Sequence, residues 1–237
     1  MTLASCDSRK TAGENPFFTE WDTPHGVPPF DKILPEHFMP AFERGMSLHE
    51  AEIDAITSNK DEATFENTIL AYDDAGQMLA QTELVFGMLC AAETNDRMQA
   101  LQEQAMPLLA AHRDKIRLDD KLFVRVKEVY DRRAALGLDA EQMRLLQKTY
   151  DSFVRAGALL GTEQKARLKE INGQLSLTAV KFGNNILAEN NNFVLELKSD
   201  ELDGLPAGIR DAAREKAQQM GKGDKWVFTL HKPSLIP

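Results

Sequence analysis

From Pro40 to Asn192 apolar residues recur at alternating steps of three and four, the spacing that gathers them on one face of an α-helix. Phe42, Met46, His49, Ile53 and Ile56 form the first such face and predict a helix from near Pro40 to near Ser58. Cap candidates in residues 61–64 open a second helix, on which Tyr72, Leu79 and Phe86 alternate with Ala75, Thr82 and Leu89 in a seven-residue repeat. Thr94 can cap a third helix carrying Leu101, Ala105, Leu108 and His112. Pro107 lacks an amide donor and is expected to kink or divide it.

Asp119 or Asp120 opens a fourth helix with Leu122, Val126, Val129 and Tyr130 inward, and Gly137 is placed to close it in a left-handed conformation. Asp139 and Gln142 have the spacing of a capping box for the fifth. Met143, Leu146, Tyr150, Phe153, Gly157 and Leu160 then give the clearest period in the chain, stopped by Gly161, with Gly157 expected to permit a close helix contact. Thr162 begins a sixth helix with Leu168, Ile171, Leu175, Thr178, Phe182 and Ile186 on one face, ended by the polar run at residues 190–192.

Both ends read differently. Residues 15–35 are rich in proline and aromatic side chains, which excludes a regular helix and suits an extended arm docked on a body. Alternation with period two at residues 193–198 and 225–230 predicts strands flanking a helix from Pro206 to Met220. Two strands alone are marginal in water, so this small sheet is expected to be completed by further sequence. The fold class is therefore mainly α: a multi-helix bundle of long antiparallel helices with a small β-α-β element at its C-terminal end. The expected domains are a flexible tether over residues 1–14, a helical domain over 15–192, and the start of an incomplete part over 193–237.

The formal charge of −9, with 37 acidic against 28 basic residues, argues against a nucleic-acid partner, whose phosphates are neutralised by Lys and Arg. No stretch approaches the roughly 18 to 20 apolar residues that span a bilayer. Leu3-Ala-Ser-Cys6 resembles a bacterial lipobox, in which small residues precede a cysteine that becomes lipid-modified, although no hydrophobic leader stands before it. If Met1 is not the natural start, Cys6 is a candidate lipidation site that would anchor the protein to a membrane. Cys90, in an apolar run, reads as a core residue.

The candidate chemistry is thin. The five histidines, at 25, 37, 49, 112 and 231, are never close enough in sequence to face one another across a helical turn, so no H-E-x-x-H zinc site is present. His49 and His112 lie on apolar helix faces and read as hydrogen-bonded core histidines rather than ligands. Glu36-His37 reads as a helix-entry segment, Asp73-Asp74 and Asp119-Asp120 as solvated faces or caps. The segment from Arg113 to Arg133 holds eight basic residues against five acidic ones and reads as a salt-laced helical surface. No catalytic and no metal-binding residue is assigned.

Taken in order, Phe65-Glu-Asn-Thr-Ile69, Thr94-Asn95, Pro107-Leu-Leu-Ala-Ala-His112, Leu122-Phe-Val-Arg-Val-Lys-Glu-Val-Tyr130, Phe153-Val-Arg-Ala-Gly-Ala158 and Lys225-Trp-Val-Phe-Thr-Leu230 resemble the amino-terminal part of thimet-oligopeptidase-like zinc metallopeptidases. The bacterial peptidyl-dipeptidase branch fits best. The resemblance runs from about Asn15 to Pro237 and implies a truncated part of a larger peptidase fold, roughly threefold longer, in which two halves enclose a channel for short peptides. It further implies a zinc cofactor held by H-E-x-x-H and a downstream glutamate outside this chain, so that this part is non-catalytic and forms one wall of the channel. The implied partners are short peptides and the missing C-terminal catalytic part; the implied location is the periplasm, lipid-anchored through Cys6, with the cytoplasm as the alternative. An endo-acting oligopeptidase of the same family, or a stand-alone helical binding protein, are the competing readings.

Overall fold

The computed structural model describes residues 14–231 and Ser234. These form two compact units, divided between Leu177 and Thr178 within one long helix. Cys6 and the rest of the expected tether up to Gly13 lie outside the described residues.

In the first unit the aromatic arm consists of single 3₁₀ turns at Pro16–Phe18, Pro24–Gly26 and Pro35–His37 joined by extended chain. Each turn starts at a proline, whose preset φ suits a first helical position, and the third runs directly into the first long helix. Asn15 fastens the arm, its Nδ2 donating to the His37 carbonyl at 2.8 Å while its Oδ1 accepts from the Phe17 amide at 3.1 Å. Phe17 is buried against Phe38, ring centroids 5.3 Å apart.

Helix α1 (Phe38–Ser58) contributes to two cores. Its first half meets α3 (Gln77–Ala92) and α4 (Asp96–Arg117) through an aromatic cluster, while the short α2 (Ala71–Asp74) packs Ala71 and Tyr72 against the second core. In the aromatic cluster Phe86 stands 4.9 Å from Phe38 and 5.4 Å from Phe42 between centroids, with Val85, Met98, Ala105 and Leu109 around them. Gly45 sets the α1–α3 distance, since a Cβ there would lie 3.0 Å from the Leu79 Cα. The second half packs Ile53 and Ile56 against α5 (Asp120–Asp131) and α6 (Ala140–Arg155), in a core with Ile69, Leu122, Val126, Val129, Leu146 and Phe153.

The cap reading holds at most helix starts. Asp119 accepts from the Leu122 amide at 2.8 Å, and Asp139 and Gln142 form the reciprocal box at 2.9 and 3.1 Å. Thr64 forms the same box with Asn67. The third start is displaced by one residue, because Asn95 rather than Thr94 accepts from the Arg97 and Met98 amides.

Other expectations are corrected. The second predicted helix is broken: one π turn at Phe65–Leu70 leads into α2, the chain kinks at Gly76 with φ 77°, and only then does α3 begin. Pro107 does not divide α4, which runs unbroken over 22 residues. Its inward stripe uses Leu109, fully buried, while Leu108 is exposed, because Met98, Ala105, Leu109, His112 and Ile116 keep the helical period. Helix α6 stops at Arg155 instead of continuing to Leu160. Gly157, at φ 98°, closes it in a Schellman turn, with Ala158 N donating to Phe153 O and Gly157 N to Val154 O. The close contact expected of Gly157 is present, since a Cβ would stand 2.8 Å from the Leu168 side chain.

Helix α7 (Thr162–Asn192) has the predicted length. The buried Lys165 ties it down by donating to the Leu118 carbonyl at 3.2 Å and to the Asp120 carboxylate. Its apolar positions nonetheless stay open, with Ile171, Leu175, Phe182 and Ile186 between 44% and 66% exposed.

The second unit holds the end of α7, β1 (Leu195–Leu197), α8 (Ala207–Gln219) and β2 (Trp226–Phe228). The strands pair antiparallel in the register Leu195 with Phe228 and Leu197 with Trp226. Val227 turns inward toward α8, whose Ala213 and Ala217 are also buried. Among the described residues no helix is long and apolar enough to cross a membrane.

Candidate functional site

The histidines that sequence spacing keeps apart meet in space. His49 on α1 and His112 on α4 face each other, with His112 Nε2 3.0 Å from His49 Nδ1, so one ring must donate and the other accept. The α1 stripe at steps of three and four points His49 inward beside Met46 and Ile53. The stripe of α4 does the same for His112, which is 5% exposed.

Three neighbours complete the cluster. Glu50 Oε1 stands 3.5 Å from His112 Nδ1, and Glu50 Oε2 accepts from Lys115 Nζ at 2.8 Å. Glu52 Oε2 accepts from the Gly76 amide at 2.7 Å, locking the kink beside the His49 ring. A Cβ on Gly76 would lie 2.9 Å from His49 Nδ1, so glycine is required there for space as well as for its positive φ.

Burial, more than any single charge, pushes the His49 imidazole below its ordinary range, helped by His112; Glu52 and Glu50 pull the other way. Burial likewise lowers His112, partly offset by Glu50. The Lys115 hydrogen bond holds the Glu50 carboxyl below its usual value. The paired rings clasp α1 to α4.

Nor do these residues fit zinc. Only two ring nitrogens converge, each already the partner of the other, whereas a catalytic zinc takes three protein ligands. Among the described residues no group of three or more His, Cys, Asp or Glu could hold a metal ion.

The remaining candidates resolve into structural roles. His37 Nδ1 accepts from the Leu34 amide at the entry to α1. Asp119 is a cap, Asp120 pairs with Lys165, and Asp73 and Asp74 are exposed. Cys90 is half-buried, and burial raises its thiol pKa.

The basic segment from Arg113 to Arg133 is less superficial than it reads. Arg125 is buried, and its Nη1 donates to the carbonyls of Asn59 (2.8 Å) and Asp61 (3.1 Å) while Nη2 donates to Asn67 Oδ1 at 3.0 Å. It thus fastens the turn after α1. The signal was in the spacing: Arg125 stands three residues after Leu122 and four before Val129, inside the apolar stripe.

Against this geometry the chain can be compared with known proteins. No protein-family profile matches it. It is 38% identical to dipeptidyl carboxypeptidase of Escherichia coli K12, over 94% of this chain and 33% of that protein. It is 36% identical to dipeptidyl carboxypeptidase of Salmonella typhimurium over the same shares. Oligopeptidase A of E. coli matches at 24% identity, over 91% of this chain and 32% of the relative. The chain thus spans about a third of the length of the curated relatives it matches. It is homologous to that third of a dipeptidyl-carboxypeptidase-like peptidase, as the ordered motifs anticipate.

Proposed function

We propose that the chain is the amino-terminal, non-catalytic part of a zinc-dependent peptidyl-dipeptidase that removes C-terminal dipeptides from short peptides. In this reading the helical unit supplies one wall of the substrate channel, and the metal and its general base belong to sequence outside this chain. The observation that carries it is homology to dipeptidyl carboxypeptidases over nearly the whole chain, at clearly higher identity than to an oligopeptidase A. The same identities favour exo- over endo-cleavage.

A chimera tests this. The chain replaces the aligned third of the E. coli dipeptidyl carboxypeptidase, and release of dipeptides from an amino-blocked tetrapeptide is measured with and without chelator. The expected result is chelator-sensitive dipeptide release by the chimera and none by the isolated chain. A soluble chimera that melts cooperatively yet releases nothing would count against the reading, as would hydrolysis by the chain alone. We place the parent protein in the periplasm, held by acyl chains on Cys6. Palmitate labelling of the natural gene product, absent from Cys6→Ala, is expected; an unlabelled product removes the anchor.

A further inference from the structure

The first unit carries a groove between the end of α4 and one face of α6 whose charge opposes that of the whole chain. It is lined by Arg117, Arg144, Lys148 and Arg155 against a single carboxylate, Asp151, together with Ser152. The chain as a whole has a net charge of −9. Asp151 already accepts a hydrogen bond from Gln147 Nε2 at 2.9 Å. Among the described residues Arg144, Lys148 and Arg155 enter no ion pair. Arg117 lies beside the Tyr72 hydroxyl, a neutral partner.

Helix ends account for part of this. Arg117 and Arg155 close their helices, where cations are favoured against the backbone carbonyls. Arg144 and Lys148 lie in the interior of α6 and have no such account. They continue the same stripe, at steps of four and seven, so that three cations lie in line with Arg117 across from them.

The geometry points to a docking groove for an extended acidic peptide segment. The cations are spread along eleven positions of α6, roughly 16 Å at the helical rise, which is the length of about five residues of extended chain. A single phosphate would need them to converge on one point, whereas these cations are strung out along one helix face. Side-chain carboxylates at intervals match the spacing, and the Arg forks suit them as bidentate acceptors.

The test uses the whole chain and fluorescein-labelled pentaglutamate, followed by fluorescence anisotropy at low salt and at physiological salt. Binding is expected, weakened by added salt as exposed charge pairs are screened. It is expected to fall at least about tenfold in the triple variant R144Q/K148Q/R155Q, a loss typical of stripped charge complementarity. Exposed positions leave its helical circular dichroism intact. The variant K121Q/K169Q/K181Q removes equal charge elsewhere and is expected to bind like the parent chain. Equal weakening in both variants would assign the effect to net charge and overturn the groove. Absence of binding by the parent chain would overturn it too, as would competition by inorganic pyrophosphate at concentrations equal to the peptide, which would mark a phosphate site instead.

Discussion

Arg125 brings a permanent charge to the inside of the bundle, and among the described residues no carboxylate pairs with it. Its stabilisation comes from two backbone carbonyls and one amide oxygen, at Asn59, Asp61 and Asn67. Replacement by methionine keeps the packing of the stem but strands those acceptors, and is expected to cost about 2–3 kcal/mol in urea unfolding. Lysine should recover little, because one ammonium cannot span three acceptors as a planar fork does. A loss below about 0.5 kcal/mol, the scale of an ordinary surface change, would mean that the turn holds without it. The histidine clasp makes a different prediction. Both rings have folded pKa values below 6.5, so the unfolded chain takes up protons first as pH falls. Their contribution is fully present above that pH and is lost as pH drops below it toward the folded values. Glu50 also has a lowered pKa, but its contribution is lost only below its unfolded value near 4.5, a separate window. Urea midpoints measured from pH 7.5 to 5 are therefore expected to fall across the histidine range, and H112N should flatten that fall. An unchanged slope in H112N would remove the pair as its cause.

At the scale of elements, the break at Gly76 is the most informative departure from periodicity. Tyr72, Ala75, Leu79, Thr82 and Phe86 continue one seven-residue pattern across it, so the pattern alone reads as a single helix. What interrupts the helix is tertiary: Glu52 captures the Gly76 amide and the His49 ring fills the space of a Cβ. Gly76→Ala is expected to destabilise by about 1–2 kcal/mol from the left-handed backbone alone, and further from the ring it displaces. Thermal unfolding checks this, and an alanine variant as stable as the parent would show that the kink is not held by glycine. Caps, by contrast, were legible because they are local: Asp119, and Asp139 with Gln142, satisfy donors within three residues. The end of α6 is hidden in the pattern because Phe153, Gly157 and Leu160 keep their spacing through a Schellman turn, after which Ala158 returns to the core while Leu160 stays exposed. The meeting of His49 with His112 spans 63 positions and left no trace in spacing. Only their shared placement on inward faces could be read.

Across the molecule, two surfaces bear on how the chain joins something larger, and α7 argues it most directly. Leu175 and Phe182 are 62% and 66% exposed on a helix whose opposite anchor, Lys165, is buried. A sequence can display such a stripe but cannot say what covers it, since amphipathicity records a face and not its partner. The relatives are three times as long as the chain, and we take the remaining two thirds of such a peptidase as the cover. In the isolated chain L175Q and F182Q remove exposed apolar surface, so each is expected to change stability by no more than about 0.5 kcal/mol. In the chimera with the rest of the E. coli enzyme the same side chains would be buried, and each substitution is expected to cost about 1.5–3 kcal/mol. Paired thermal melts of chain and chimera measure the difference. If both proteins tolerate the glutamines equally, that part of the peptidase does not cover α7. If instead the isolated chain sediments as a dimer that either substitution dissociates, a second copy is the cover, and α7 no longer supports the assignment of the chain to a larger peptidase.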